Sequence, residues 1–148
     1  TDLQAVEISG RHWGFSCKVT CDSPYGYLAP ENFSYAVNDT ATVTLHSHSS
    51  INDPYFPVIQ IQQSGVTDFS IKNVTDNNRE FKLTGIPTGS GNILLDSDHG
   101  VLTCAAGLNL YPYCNFKFPR LLRGDNELIL AGTGTYTLTC AFPVNVGG

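Results

Sequence analysis

A period of two runs through the early part of this chain. From His12 to Cys21 the residues Trp13, Phe15, Cys17, Val19 and Cys21 alternate with Gly14, Ser16, Lys18 and Thr20, which are small or polar. Successive side chains of an extended strand point to opposite faces, so this pattern specifies a strand buried on one side and wet on the other. No window of helical length carries a 3.6-residue period instead. Fourteen Gly and eight Pro punctuate the chain throughout. Short alternating runs separated by turn residues are the signature of an all-β, antiparallel sandwich or jelly roll.

The remaining runs fit about ten strands in one domain spanning residues 1–148. Asp22-Ser-Pro-Tyr-Gly closes the first as a turn. Phe33, Tyr35 and Val37 alternate, Asn38-Asp39 interrupts, and Ala41, Val43 and Leu45 resume, as a strand pair or one long strand with a bulge. Pro54 and Pro57 restrict the run Val58 to Gln62 to an edge strand, or mark where a strand begins. Phe69 and Ile71, then Phe81 and Leu83, flank Thr75-Asp-Asn-Asn78 as a hairpin, and Ser97-Asp-His-Gly100 turns a second one between Ile93 and Cys104. Cys114 to Phe118, Glu127 to Leu130 and Thr135 to Phe142 complete the set, the last placing Tyr136, Leu138, Cys140 and Phe142 on one face.

Composition narrows the function. Charged residues make up 14% of 148 residues, against about 25% in an average domain. The surface is therefore made of Ser, Thr, Asn and Gln, as expected for strands and turns. With eight Lys plus Arg and a net charge of −5, the chain lacks the basic stripe that nucleic acid requires, and anionic membranes are disfavoured. No apolar run approaches the roughly 20 residues of a membrane span. The chain starts at Thr1 and contains no Met, which we read as a processed product or an excised domain.

The cysteines Cys17, Cys21, Cys104, Cys114 and Cys140 are odd in number, which argues against a secreted disulfide framework. Cys17 and Cys21 in one strand would lie about 13 Å apart, beyond disulfide reach. All five are expected to be small buried hydrophobes in a reducing compartment.

Catalytic and metal-binding chemistry finds little support. His46 and His48 share a strand face and would need a third ligand such as His99 or Asp53 to hold a metal. Asp96-Ser-Asp98-His-Gly100 resembles the start of a calcium loop but lacks the later ligands, and a hairpin turn accounts for it. There is no Gly-x-Ser-x-Gly elbow and no acid–base carboxylate pair. Arg123-Gly124-Asp125 and the Asn-x-Ser/Thr acceptors at Asn32, Asn38 and Asn73 are chance matches in a chain of this composition. The expectation is a protein with no catalytic residues, no metal and no cofactor.

The tyrosines carry more information. Tyr25-Gly-Tyr27, Tyr55 and Tyr111-Pro-Tyr113 sit among turn residues. Rings placed there either cover the ends of the sandwich, anchor a protein interface or stack on sugars. Tyr25, Tyr27, Tyr55, Tyr111 and Tyr113 are thus the candidate binding residues.

Three segments resemble those of a known family. Cys21-Asp-Ser-Pro-Tyr-Gly-Tyr27, Asn52-Asp-Pro-Tyr-Phe-Pro-Val-Ile-Gln-Ile61 and Phe118-Pro-Arg-Leu-Leu-Arg-Gly-Asp-Asn-Glu-Leu-Ile-Leu130 are similar, in order, to the second half of phage distal tail proteins. The resemblance implies a galectin-like, carbohydrate-binding-module-like sandwich forming the C-terminal domain of a longer tail protein whose N-terminal ring-forming domain is absent here. It implies a non-enzymatic baseplate or tail-tip hub component of the virion, assembled in the bacterial cytoplasm, linking the tail tube to the receptor-binding apparatus. Its partners would be other tail-tip proteins, with the full chain a homohexameric ring and this fragment a monomer. Galectin sugar-binding residues are not found in order, so glycan binding enters only as the alternative, a module for host cell-surface polysaccharide. The Phe118–Asn126 motif is read as fold geometry, with Gly124–Asn126 supplying a chain reversal.

Overall fold

The computed structural model describes residues 2–8, 11–18, 24–63 and 65–146, the first two of these segments by backbone alone. The described residues form thirteen strands and one 3-10 turn, somewhat more than the ten or so anticipated. The strands are β1 (Asp2–Ile8), β2 (Arg11–Lys18), β3 (Tyr25–Tyr27), β4 (Glu31–Val37), β5 (Thr40–Ser47), β6 (Val58–Gln63) and β7 (Phe69–Asn73). They continue as β8 (Arg79–Leu83), β9 (Ile93–Asp96), β10 (Val101–Cys104), β11 (Gly124–Ala131), β12 (Gly134–Cys140) and β13 (Pro143–Asn145).

Two antiparallel sheets make the sandwich. One has the order β10-β9-β6-β12-β4, the other β5-β11-β7-β8, and the chain changes sheet repeatedly along its length, as in a jelly roll. Alternation decides what faces inward. β7 and β8 bury Phe69, Ile71, Phe81 and Leu83, while β6 and β9 contribute Ile59, Ile61, Ile93 and Leu95 to the same core. Register places Tyr136 opposite both Tyr35 and Ile61, and Leu138 opposite Phe33 and Ile59. Aromatic and β-branched cross-strand pairs of this kind add about 0.2–1 kcal/mol each beyond burial.

Gly132, in the turn from β11 to β12, has φ +104°, and a Cβ there would lie 2.6 Å from the Asp68 carbonyl oxygen. The buried Tyr136 hydroxyl closes the same turn by donating to the carbonyls of Ala131 (2.6 Å) and Gly132 (3.0 Å).

Both expected hairpins form, β7–β8 and β9–β10. The face shared by Tyr136, Leu138, Cys140 and Phe142 is buried. Several expectations need correction. β4 and β5 are neither a pair nor one bulged strand: each is an edge, and they belong to opposite sheets. Thr40–Ser47 pairs with β11 instead. Of the two places open to Val58–Gln62, the second is realised: Pro57 precedes the first ladder residue and costs no interior hydrogen bond, so β6 can be the middle strand of its sheet and is no edge. Cys114 to Phe118 is not a strand. It follows the 3-10 turn Tyr111–Tyr113 and runs beside β8, joined to it by the Leu83–Cys114 bridge and by hydrogen bonds of Asn115 to Lys82 and Glu80, without forming a ladder.

β1 was not anticipated. It pairs with β2 as a separate two-stranded sheet, and the register shifts between Val6 and Glu7. The apolar residues change parity there, from Leu3 and Ala5 to Val6 and Ile8, which hides the strand from a period-two reading. The side chains of Trp13, Phe15 and Cys17, and all of Cys21, lie outside the described residues. Of the three described thiols, Cys104 and Cys140 are buried but Cys114 is only half-buried.

Candidate functional site

β3 pairs antiparallel with β13, Tyr27 opposite Pro143 and Tyr25 opposite Asn145, and the Leu28 amide extends the contact to the Phe142 carbonyl at 2.9 Å. The Tyr25–Tyr27 segment is therefore a strand rather than a loop. This small sheet, the segment 51–58 and the β9–β10 turn enclose a groove of about 390 Å³. Its lining includes Tyr25, Tyr27, Tyr55, Phe56, Asp96, Asp98 and His99.

Each wall is fixed by identifiable contacts. Tyr55 exchanges two backbone hydrogen bonds with Leu121, at 2.8 and 2.7 Å, and its hydroxyl accepts the Ala141 amide at 2.8 Å. Its ring packs 5.1 Å from that of Phe142. Burial raises the Tyr55 hydroxyl pKa against the opposing pull of the Ala141 amide. Tyr27 is 60% exposed. In the turn, Asp96 accepts the His99 ring Nδ1 at 2.9 Å and the backbone amides of Asp98 (3.2 Å) and His99 (3.3 Å). Desolvation works to raise the Asp96 carboxyl, but these hydrogen bonds and the His99 charge outweigh it and hold the pKa below 3.8. His99 is raised above 6.5 by its bond to Asp96 and by the charges of Asp96 and Asp98.

Ring faces beside carboxylates and an imidazole suit a polyhydroxylated ligand. C–H faces of a sugar can stack on tyrosine while its hydroxyls donate to carboxylate oxygens. Three of the five candidate tyrosines, Tyr25, Tyr27 and Tyr55, come together here. Tyr111 and Tyr113 do not. Tyr111 is committed to the fold: its hydroxyl donates to the Gly100 carbonyl and accepts the Leu102 amide, both at 3.1 Å.

The histidines also separate. His46 and His48 lie 5.0 Å apart between ring centroids, each beside a carboxylate: Asp125 2.6 Å from His46 and Glu31 3.8 Å from His48. His99 lines the groove instead, so His46, His48 and His99 form no common cluster. Asp125 of the Arg-Gly-Asp tripeptide is thereby the partner of His46.

Sequence reasoning missed a polar strap. The segment 118–126 is tied across the β7–β8 turn by buried amides. Asn126, fully buried, accepts the Leu122 amide (2.7 Å) and donates to the carbonyls of Leu122 (2.8 Å) and Gly124 (3.0 Å). Asn73 donates to Asn126 and to the Arg120 carbonyl, both at 2.9 Å. Arg120 grips the buried Asp76 with two hydrogen bonds, at 2.7 and 3.1 Å. Gly124–Asn126 thus begins β11 instead of reversing the chain, and the turn is Leu122–Gly124, closed by the Asn126 side chain. The available signal was parity: Asn73 shares a face with Phe69 and Ile71, and Asn126 with Leu128 and Leu130.

The fold and groove define a jelly-roll domain with an aromatic-lined surface cleft. Among solved structures, the Dit protein of phage SPP1, described as a paradigm of the hub adsorption apparatus in phages infecting Gram-positive bacteria, shares this fold. The match has a TM-score of 0.57 at 16% identity and covers 82% of this chain and 50% of that one, so this chain spans about half the length of that protein. No curated protein matches the sequence. Residues 25–140 match the model of the phage tail C-terminal domain family, and the chain belongs to that family. It is a component of a phage tail.

Proposed function

We propose that this chain is a non-catalytic hub domain of the tail tip, joining the tail tube to the receptor-binding apparatus. In this reading residues 1–148 are one sandwich domain, the C-terminal part of a longer tail protein whose preceding domain forms a homohexameric ring. The observation that carries it is the common fold with half of a hub protein. The interior supports a mechanical role, since the two sheets share one core and a buried hydrogen-bonded strap ties down the segment 118–126. Partners are neighbouring tail-tip proteins, and assembly takes place in the host cytoplasm, where the free thiols Cys104, Cys114 and Cys140 stay reduced. Light scattering tests the reading: the 148-residue chain is expected to be monomeric and the full-length protein hexameric. A full-length protein that remains monomeric at high concentration refutes it.

A second reading is favoured by the groove itself. Tyr25, Tyr27 and Tyr55 beside Asp96, Asp98 and His99 suit a host cell-surface polysaccharide. Calorimetric titration with purified host cell-wall polysaccharide is expected to show binding that Tyr27→Ala weakens. Binding unaffected by Tyr27→Ala and by Asp98→Asn places any sugar elsewhere, and no heat at all removes the reading.

A further inference from the structure

We propose that the loop Cys114–Phe118 and the basic depression beside it dock an acidic polypeptide segment of a neighbouring tail protein, with Phe116 as the anchor. This deepens the hub reading by giving a partner's chemistry, and it rests on that reading only in making the partner a tail protein.

Phe116 is held in an unfavourable state at a place where the fold gains little from it. Its φ is +60°, in the left-handed region, where a bulky aromatic residue is an outlier and glycine is the comfortable choice. Yet its side chain is 61% exposed. The ring lies parallel to that of Tyr111, with centroids 6.1 Å apart and planes at 6°. Tyr111 is itself pinned by its two hydroxyl hydrogen bonds, so it forms a rigid backing.

The backbone on either side is clamped. The Phe116 amide donates to Cys114 Sγ at 3.1 Å, and the Asn115 carboxamide oxygen accepts the amides of Lys82 (3.1 Å) and Lys117 (3.2 Å) while its nitrogen donates to the Glu80 carbonyl at 2.9 Å. A strained backbone persists only where its surroundings over-determine it, and such positions concentrate where a protein binds or acts. Aromatic side chains are enriched among interface anchors, and a preorganised ring loses little freedom on binding.

Charge selects the partner. The depression next to this loop is lined by Arg79, Lys82, Lys117 and Arg120 with Asp76 and Glu80. Half of the chain's eight basic residues therefore meet at one place. Four cations against two carboxylates in a chain of net charge −5 leave the other residues with −7 together. An acidic segment is repelled by most of this surface and drawn to this part of it. Lys117, adjacent to Phe116, has no ionic partner among the described residues. The aromatic anchor distinguishes a polypeptide from a phosphate-rich polymer: the former brings apolar side chains to cover Phe116, while the latter offers only charge.

Three defined probes test this on the 148-residue chain by fluorescence anisotropy at low and moderate salt: a random copolymer of glutamate and tyrosine, polyglutamate of equal charge, and inorganic polyphosphate. The copolymer is expected to bind at least about tenfold more tightly than polyglutamate, in keeping with an aromatic hot spot. Phe116→Gly is expected to abolish that preference while leaving the melting temperature unchanged or higher, because glycine relieves the left-handed backbone. Lys117→Glu is expected to weaken both polypeptides about threefold or more, with a shallower salt dependence. Equal binding of all three probes, or a copolymer preference that survives Phe116→Gly, overturns the proposal. So does self-association of the chain that Phe116→Gly reverses, since the occupant would then be a second copy. None of these outcomes bears on whether the full-length protein forms a ring, so the two readings fail separately.

Discussion

Replacing Asn126 by alanine removes four hydrogen bonds at once from a side chain with no solvent exposure. The Leu122 amide, the Leu122 and Gly124 carbonyls and the Asn73 amide all lose their partner. A typical intramolecular hydrogen bond contributes about 1 kcal/mol net, and a buried group left unpaired costs about 1–3 kcal/mol. Two circumstances reduce the total: Asn73 keeps its bond to the Arg120 carbonyl, and Leu122 is only half-buried, so water can reach part of the turn. The expected loss is about 3–4 kcal/mol. For a domain of this size that corresponds to a melting temperature lower by about 10 °C. Urea denaturation at neutral pH, with the midpoint and slope fitted separately, checks the figure, and Ser34→Ala serves as a surface control. The Ser34 hydroxyl is exposed and, among the described residues, meets only Thr137, at 3.0 Å. If Asn126→Ala costs under about 1 kcal/mol, the worth of a single ordinary hydrogen bond, or no more than Ser34→Ala, the strap is not what holds the segment 118–126 in place.

Three further outcomes follow from the same geometry. Gly132→Ala should cost about 3 kcal/mol or more by thermal melting, because a Cβ meets the Asp68 carbonyl and the Phe69 ring, both at 2.6 Å, on a backbone with φ +104°; near-neutral stability would show that the turn has another conformation. By NMR titration, His99 should titrate above 6.5 and Asp96 below 3.8. The stabilisation from the raised His99 is lost as pH rises through its folded pKa, and that from the depressed Asp96 is lost as pH falls through its own. The pair is therefore intact between the two, and Asp96→Asn should lower the His99 midpoint. Burial, with a smaller contribution from the Glu31 charge, pushes the Cys140 thiol up to about 12. At pH 8 only about one molecule in ten thousand then carries that thiolate, so mass-mapped alkylation should spare Cys140 in the folded protein and label it in guanidinium.

The alternation of Phe69, Ile71, Phe81 and Leu83, of Ile93 and Leu95, and of Tyr136 through Phe142 determined by itself that the chain is all β and which side chains form the core. Period two is a local property of an extended backbone, and burial follows from it without knowledge of partners. Both hairpins were equally legible, since a turn joining adjacent strands is encoded in its own few residues. Pairing between distant strands was not. β5 joins β11 although the paired residues His46 and Asp125 stand 79 positions apart, and β4 lies in the other sheet although only Asn38 and Asp39 separate it from β5 in the chain. Only the closed sandwich decided these matters, because the energy of a non-local ladder depends on which edges remain open once the rest is paired. The same holds for the surface sites. The Tyr25–Tyr27 strand, Tyr55 and the Asp96–His99 turn are far apart in sequence and become a groove only when β13 pairs with β3. The left-handed backbone of Phe116 is imposed by Asn115 bonding to the β8 strand, a constraint its neighbours in the chain do not carry. Asn73 and Asn126 stand between these cases: their inward parity was visible, but that two amides would bond to each other there could be settled only by bringing the strands together.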